Sequence, residues 1–173
     1  MIVRTSTARY SGSGTRFLVH TGTGHEVVLD DDAGDSGARP VEMLLVGQVG
    51  CTGFDVIGSL REAGQVVTRY EVAVTAEQRD EAQPAIYTRA IVMHEVEGPS
   101  PDEQQLRRAI YESATKYSSV AAMLSASTVE IHHRYRIVRP GVAPIEGEVL
   151  VTGPNADPDR LGESSANERG GVA

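Results

Sequence analysis

Apolar and polar positions change period several times along this chain, and each change marks an element. Over 66–76 they alternate, with Val67, Arg69, Glu71 and Ala73 on one parity and Tyr70, Val72 and Val74 on the other. Period two is the signature of a strand with one buried face. Segment 86–96 reads the same way, and the acidic, proline-containing stretch between the two predicts a hairpin loop. Shorter β segments are expected at 3–10, 16–20 and 26–29, separated by the Gly-rich turns SGSG and TGTG. From Pro40 the pattern turns apolar on all sides: Met43, Leu44, Leu45, Val46, Val49, Phe54, Val56, Ile57 and Leu60. This predicts a buried helix opened by proline in its first turn. Its glycines at 47, 50, 53 and 58 each cost about 1 kcal/mol of helix propensity, which close contact with another helix would offset.

A second helix is announced by Ser100-Pro101-Asp102-Glu103, read as a capping box with Ser100 as the cap. Leu106, Ile110, Ala114, Tyr117, Ala121 and Leu124 follow at spacings of three and four, one stripe on one long helix, with Ser118-Ser119 a possible break. Segment 129–138 predicts a closing strand. The order β-β-β-α-β-β-α-β segregates strand pairs from long helices and gives an α+β class.

Composition sets the outer limits. The 173 residues carry 24 acidic and 16 basic side chains, a net charge of −8, one cysteine and no tryptophan. That balance, with no basic block, argues against nucleic acid or an anionic membrane surface as partner. No stretch is expected to reach the roughly 20 apolar residues of a membrane span, and the first 20 residues do not read as a secretory signal. A cytoplasmic protein with a reduced thiol is the expectation. From Pro140 the last 34 residues hold six acidic groups, two arginines and few large apolar side chains. The domain is therefore expected over 1–139, with 140–173 an acidic, Pro/Gly-rich tail, mostly flexible; Ile145, Val149, Leu150 and Val151 offer one short strand within it.

Candidate chemistry centres on Cys51, in the middle of the apolar helix. A lone cysteine there packs as a small hydrophobe or, given access and a lowered pKa, reacts. Arg39 and Glu42 are the nearest groups able to assist: Arg39 favours a thiolate, and Glu42 can orient that arginine or accept a proton. The same two residues also suit a solvated loop base and a helix N-terminal carboxylate. His132 and His133 point to opposite faces of a strand, and no Cys/His spacing suggests a metal site. No G-x-S-x-G elbow is present, and no helix follows the Gly-rich turns, so neither a serine hydrolase nor a phosphate loop is supported.

Three separated motifs then make the chain recognisable. Gly24, His25, Val27 and Asp30 form the first; Pro40, Glu42, Met43, Cys51, Asp55 and Val56 the second; Ser113, Ala114, Lys116 and Tyr117 the third. Over roughly 1–138 the chain resembles the OsmC/Ohr family, and within it the YhfA-like branch. The resemblance implies curved antiparallel sheets packed around long central helices in an intertwined homodimer. It implies thiol-dependent reduction of hydroperoxides, with Cys51 at the peroxidatic position and Arg39 and Glu42 as assisting groups. The family's second cysteine is replaced by Ser118, and the functional glutamate of better-studied members falls one residue earlier, at Val41. Met43, Phe54 and Met123 would accommodate an alkyl tail. Two readings follow. One is a one-cysteine peroxidase recycled by an external thiol, with no cofactor; the other is a redox-silent dimer that binds an apolar or fatty-acyl ligand.

Overall fold

The computed structural model describes residues 1–154 and 156 and divides into two units, 1–46 and 47 onward. In the first, β1 (Ser6–Tyr10), β2 (Phe17–Thr21) and β3 (Glu26–Leu29) form an antiparallel sheet in chain order. The loop after β3 folds around Asp30. Its carboxylate accepts from the hydroxyls of Thr15 and Ser36, at 3.0 and 2.6 Å, and from the amides of Asp31 and Ser36. These donors, Ser36 foremost, hold the Asp30 carboxyl down at about 2. A β-carbon at Gly34 would overlap that carboxylate, so the loop closes only around glycine there. Helix α1 (Glu42–Glu62) begins in this unit and continues into the next.

The second unit is built on a four-stranded sheet in the order β4 (Arg69–Gln78), β5 (Tyr87–Glu97), β6 (Glu130–Arg139), β7 (Val142–Thr152). Two hairpins, β4–β5 and β6–β7, are joined by a parallel β5–β6 pair. A parallel pair needs a long crossover. It is supplied by α2 (Glu103–Glu112), a π-helical turn at Ser113–Tyr117, and α3 (Ser119–Ser125). The strand at 129–138 is thus central and not closing; β7 lies outside it. The sheet therefore runs past the boundary expected at 139. Val149 and Leu150 are buried on the core side of β7, and pairing with β6 satisfies one edge of its backbone. The rest of the expected tail, 155 and 157–173, lies outside the described residues.

Strict alternation places Ala90, Val92, His94 and Val96 of β5, and Ile131, His133, Tyr135 and Ile137 of β6, on the buried face. Val56 and Leu60 from α1 and Leu106 and Ile110 from α2 join Val96, Tyr135 and Ile137 in the main core cluster. Each such side chain contributes about 1.5–3 kcal/mol on burial. On the outer face, Arg69, Glu95, Arg136 and Glu146 form one ion-pair chain and Arg134, Glu148, His132 and Glu130 another.

Three local expectations are corrected. The cap of α2 is Asp102, whose carboxylate accepts from the Gln105 amide at 2.9 Å; Pro101 is buried beside Gly98 and so lies ahead of the helix. The single long helix is three pieces: a π-helical turn at Ser113–Tyr117 was not expected, whereas the break at Ser118-Ser119 is found, Ser118 leaving helical geometry at φ −70°, ψ 104° and capping α3 by accepting from Ala121 N at 3.2 Å. Finally, α1 is 21 residues long with an 18-residue stretch of mean hydropathy 1.4, enough by length and composition to cross a membrane, contrary to the reading that no segment reaches this. Core helices pass the same test, and the buried residues of α1 are Gln48, Thr52, Gly53, Val56 and Leu60.

Candidate functional site

On α1, four of the buried residues recur at intervals of four: Gln48, Thr52, Val56 and Leu60. They form a stripe that faces the sheet, where a β-carbon at Gly53 would stand only 3.1 Å from Val72 of β4. Cys51 lies one residue, about 100°, around from this stripe and is half-buried and free. Its own row along the helix contains Gly47 one turn before and Asp55 one turn after. Both ends of that row meet the crossover segment. A β-carbon at Gly47 would be 3.5 Å from the Val120 side chain, and Asp55 Oδ2 accepts from the Ser113 hydroxyl at 2.9 Å. Cys51 is therefore midway along the row that faces segment 113–120, which carries Ser118.

Ser118 itself is 3% exposed and occupied as a helix cap, and its amide donates to the Ser113 carbonyl at 2.9 Å. Ser113 and Thr52 are fully buried, with hydroxyls 3.1 Å apart. The run Thr52–Ser113–Asp55 is thus a polar seam through an otherwise apolar helix contact. On one side of this seam opens a cleft of about 390 Å³ lined by Phe54, Asp55, Gly58, Glu62, Glu112 and Tyr117. Phe54, 80% exposed, lies along it. Met123, also largely exposed, is on α3 and does not line it.

Arg39 and Glu42 belong to the first unit. The Arg39 guanidinium is bonded through Nε to Asp32, with Asp35 at 3.9 Å and Glu42 Oε1 at 3.6 Å. The hydrogen bond to Asp32, and then its charge, raise the Arg39 pKa. Glu42 Oε2 accepts from the Arg39 amide at 2.9 Å, closing the first turn of α1. Glu42 therefore does hold Arg39, and three carboxylates share that one cation. Met43 follows, half-buried.

The sequence reading named His133 but not the buried polar contacts of the second unit. Tyr70 shares a 2.8 Å hydrogen bond with His94 Nδ1, and burial pushes the Tyr70 phenol up. Burial holds the His94 imidazole down at about 3 and His133 at about 4, with the neighbouring histidine adding to each shift. The available signal was Gln48 and Thr52, polar residues four apart inside an apolar run. Among the described residues no group of three His, Cys, Asp or Glu side chains is arranged to hold a metal ion.

A family model described as OsmC-like protein matches residues 33–134. Protein YhfA of Escherichia coli K12 is 37% identical over 125 residues, covering 72% of this chain and 92% of the relative. A crystal structure of a hypothetical protein from Aquifex aeolicus VF5 superposes with a TM-score of 0.69 at 28% identity, over 80% of this chain and all of that one. An organic hydroperoxide resistance protein from Elizabethkingia anophelis shares the fold, with a TM-score of 0.56 at 12% identity over 80% of this chain and 97% of that one. With Cys51, Asp55, Ser113 and Tyr117 all inside the matched span, the chain belongs to the OsmC-like family, in its YhfA-like branch.

Proposed function

We propose that this protein reduces organic hydroperoxides with Cys51 as its single reacting cysteine and an external thiol as reductant. The carrying observation is the position of Cys51, half-buried at the middle of the helix row that faces the Ser118 segment. The Cys51 thiolate attacks the distal peroxide oxygen; the O–O bond breaks, the alcohol leaves with a proton from solvent, and the sulfur becomes a sulfenic acid. Ser118 has no sulfur with which to trap it. A first external thiol therefore condenses with the sulfenic acid, releasing water, and a second displaces Cys51 from that mixed disulfide. Arg39, oriented by Glu42, would stabilise thiolate and peroxide, and Met43, Phe54 and Met123 would receive the alkyl group. Proteins of this family are typically dimers. A cytoplasmic homodimer completes the proposal, with the exposed Phe54, Tyr117 and Met123 on its helices available to a second copy. The name of the Elizabethkingia relative supports the substrate class.

The test is peroxide-dependent oxidation of dihydrolipoamide or dithiothreitol, with cumene hydroperoxide as oxidant. Turnover abolished in Cys51→Ser carries the proposal; absence of turnover with every dithiol and alkyl hydroperoxide sinks it.

A second reading is favoured by Ser118, which is committed to capping α3. On that reading the dimer binds an apolar or fatty-acyl ligand and Cys51 only packs. The rate of Cys51 alkylation against pH separates the two. A thiol pKa well below the free-cysteine reference of about 8.5 belongs to the catalyst, and one at or above it to the binder.

A further inference from the structure

Gln48, His94 and His133 are all fully buried in the second unit, and the chemistry proposed above uses none of them. His94 and His133 stand on neighbouring parallel strands. Val92 is the register partner of His133, so His94, two residues on, is its diagonal neighbour on the same face. Gln48 lies on the same α1 stripe as Val56 and Leu60, which share a core cluster with Val96 and Tyr135, the residues two on from His94 and His133 on the buried face.

Each imidazole has one satisfied nitrogen: His94 Nδ1 with the Tyr70 hydroxyl at 2.8 Å, and His133 Nε2 with Thr152 Oγ1 at 3.3 Å. His94 Nε2, His133 Nδ1 and both amide atoms of Gln48 are sealed from solvent and have no protein partner. Four such atoms left unsatisfied would together rival the net stability of a whole domain.

We propose that the space beneath α1 bounded by Gln48, His94 and His133 is an internal water site, in which ordered water bridges the Gln48 amide to the two free imidazole nitrogens. The chemistry of the three groups selects the occupant. The Gln48 amide offers both donors and an acceptor, and each neutral imidazole nitrogen donates or accepts according to tautomer. Only a small molecule that donates and accepts at once serves all four atoms. An anion finds no cation there, since burial keeps both rings neutral down to about pH 4. A divalent cation finds no carboxylate or thiolate among the three to balance it.

A high-resolution crystal structure of the full chain tests this directly. The expected result is one or more density peaks within hydrogen-bond distance of the Gln48 amide and at least one free imidazole nitrogen. Gln48 bonded directly to the rings with nothing between, or an anomalous metal peak, overturns it. Gln48→Met, of similar length without the amide, supplies a second readout. Stranding the water should lower Tm by about 2–8 °C. A higher Tm would mean the native amide is simply unsatisfied, and would also overturn the site.

Discussion

The Ser113 hydroxyl donates to Asp55 Oδ2 at 2.9 Å and stands 3.1 Å from Thr52 Oγ1, tying the π-helical turn of the crossover to two successive turns of α1. The π-helical turn is closed by the Ser118 amide donating to the Ser113 carbonyl five residues back, at 2.9 Å. Ser113→Ala strands the fully buried Thr52 hydroxyl and leaves Asp55 one donor short. We expect a loss of about 1–3 kcal/mol, read as a lower urea midpoint with an unchanged m-value.

Cys51 lies midway along the row of α1 that meets the crossover at Ser113 and Val120, so a thiol at 118 is expected to restore the two-cysteine arrangement. In Ser118→Cys, one equivalent of hydroperoxide should produce an intramolecular 51–118 disulfide, a mass loss of two hydrogens with no free thiol left. Because the serine caps α3, the variant should also lose about 1 kcal/mol of stability. Only intermolecular disulfides in this variant would show that the two positions do not meet.

Acid should weaken the fold in two windows. His94 and His133 are held at about 3 and about 4 in the folded chain, against about 6.5 unfolded. The unfolded state therefore takes up more protons below pH 6.5. Stability present above that pH is lost as pH falls toward 4, at a limiting slope of about 3 kcal/mol per unit for two protons. Asp30, held at about 2 against a usual 3.8, contributes stability that is kept above pH 4 and lost as pH falls toward 2. Urea midpoints measured from pH 7 to 4 should fall steadily in the native chain and less steeply in His133→Gln. A flat profile over that range would count against the buried neutral histidines.

The four α1 glycines separate by what surrounds them. Gly53 faces Val72 and Gly47 faces Val120, whereas a β-carbon at Gly50 or Gly58 would meet nothing within 4 Å. In an isolated chain, alanine at these two open sites should stabilise α1 by about 1 kcal/mol each. The proposed homodimer gives the glycines a reason, a second helix lying close against them. Gly50→Leu is accordingly expected to weaken self-association at least tenfold by sedimentation velocity. Equally tight dimers in this variant would move the interface elsewhere.

Much of the fold was legible before any coordinates. Strands β4 and β5 are found within a few residues of their expected positions because period-two alternation in one-sided sheets is strong, and β3 because the Gly-rich turn ahead of it marks its start. The break at Ser118-Ser119 was readable from serine's competition for the backbone. Asp102 displaced Ser100 as cap because Pro101 was drawn into the packing beside Gly98, a contact that no local pattern encodes. Strand β7 was underestimated because its proline, Pro144, and its glutamates resemble a solvated tail. As an edge strand it tolerates them, with Glu146 and Glu148 on the outer face meeting Arg136 and Arg134.

By itself the sequence determined the element types, the presence of α1, the place of Cys51 on it and the loss of a second thiol at 118, but not that α1 buries one stripe and leaves Leu44, Val46 and Phe54 exposed. These are properties of local period and residue identity, which survive without neighbours. Tertiary structure alone decided that Gly47 and Asp55 bracket Cys51 against the crossover, that β6 runs parallel to β5, and that two histidines are sealed on the inner face of the sheet. Each of those facts joins residues distant in the chain, and what brings them together is the burial of apolar surface shared among several elements, which no single segment specifies.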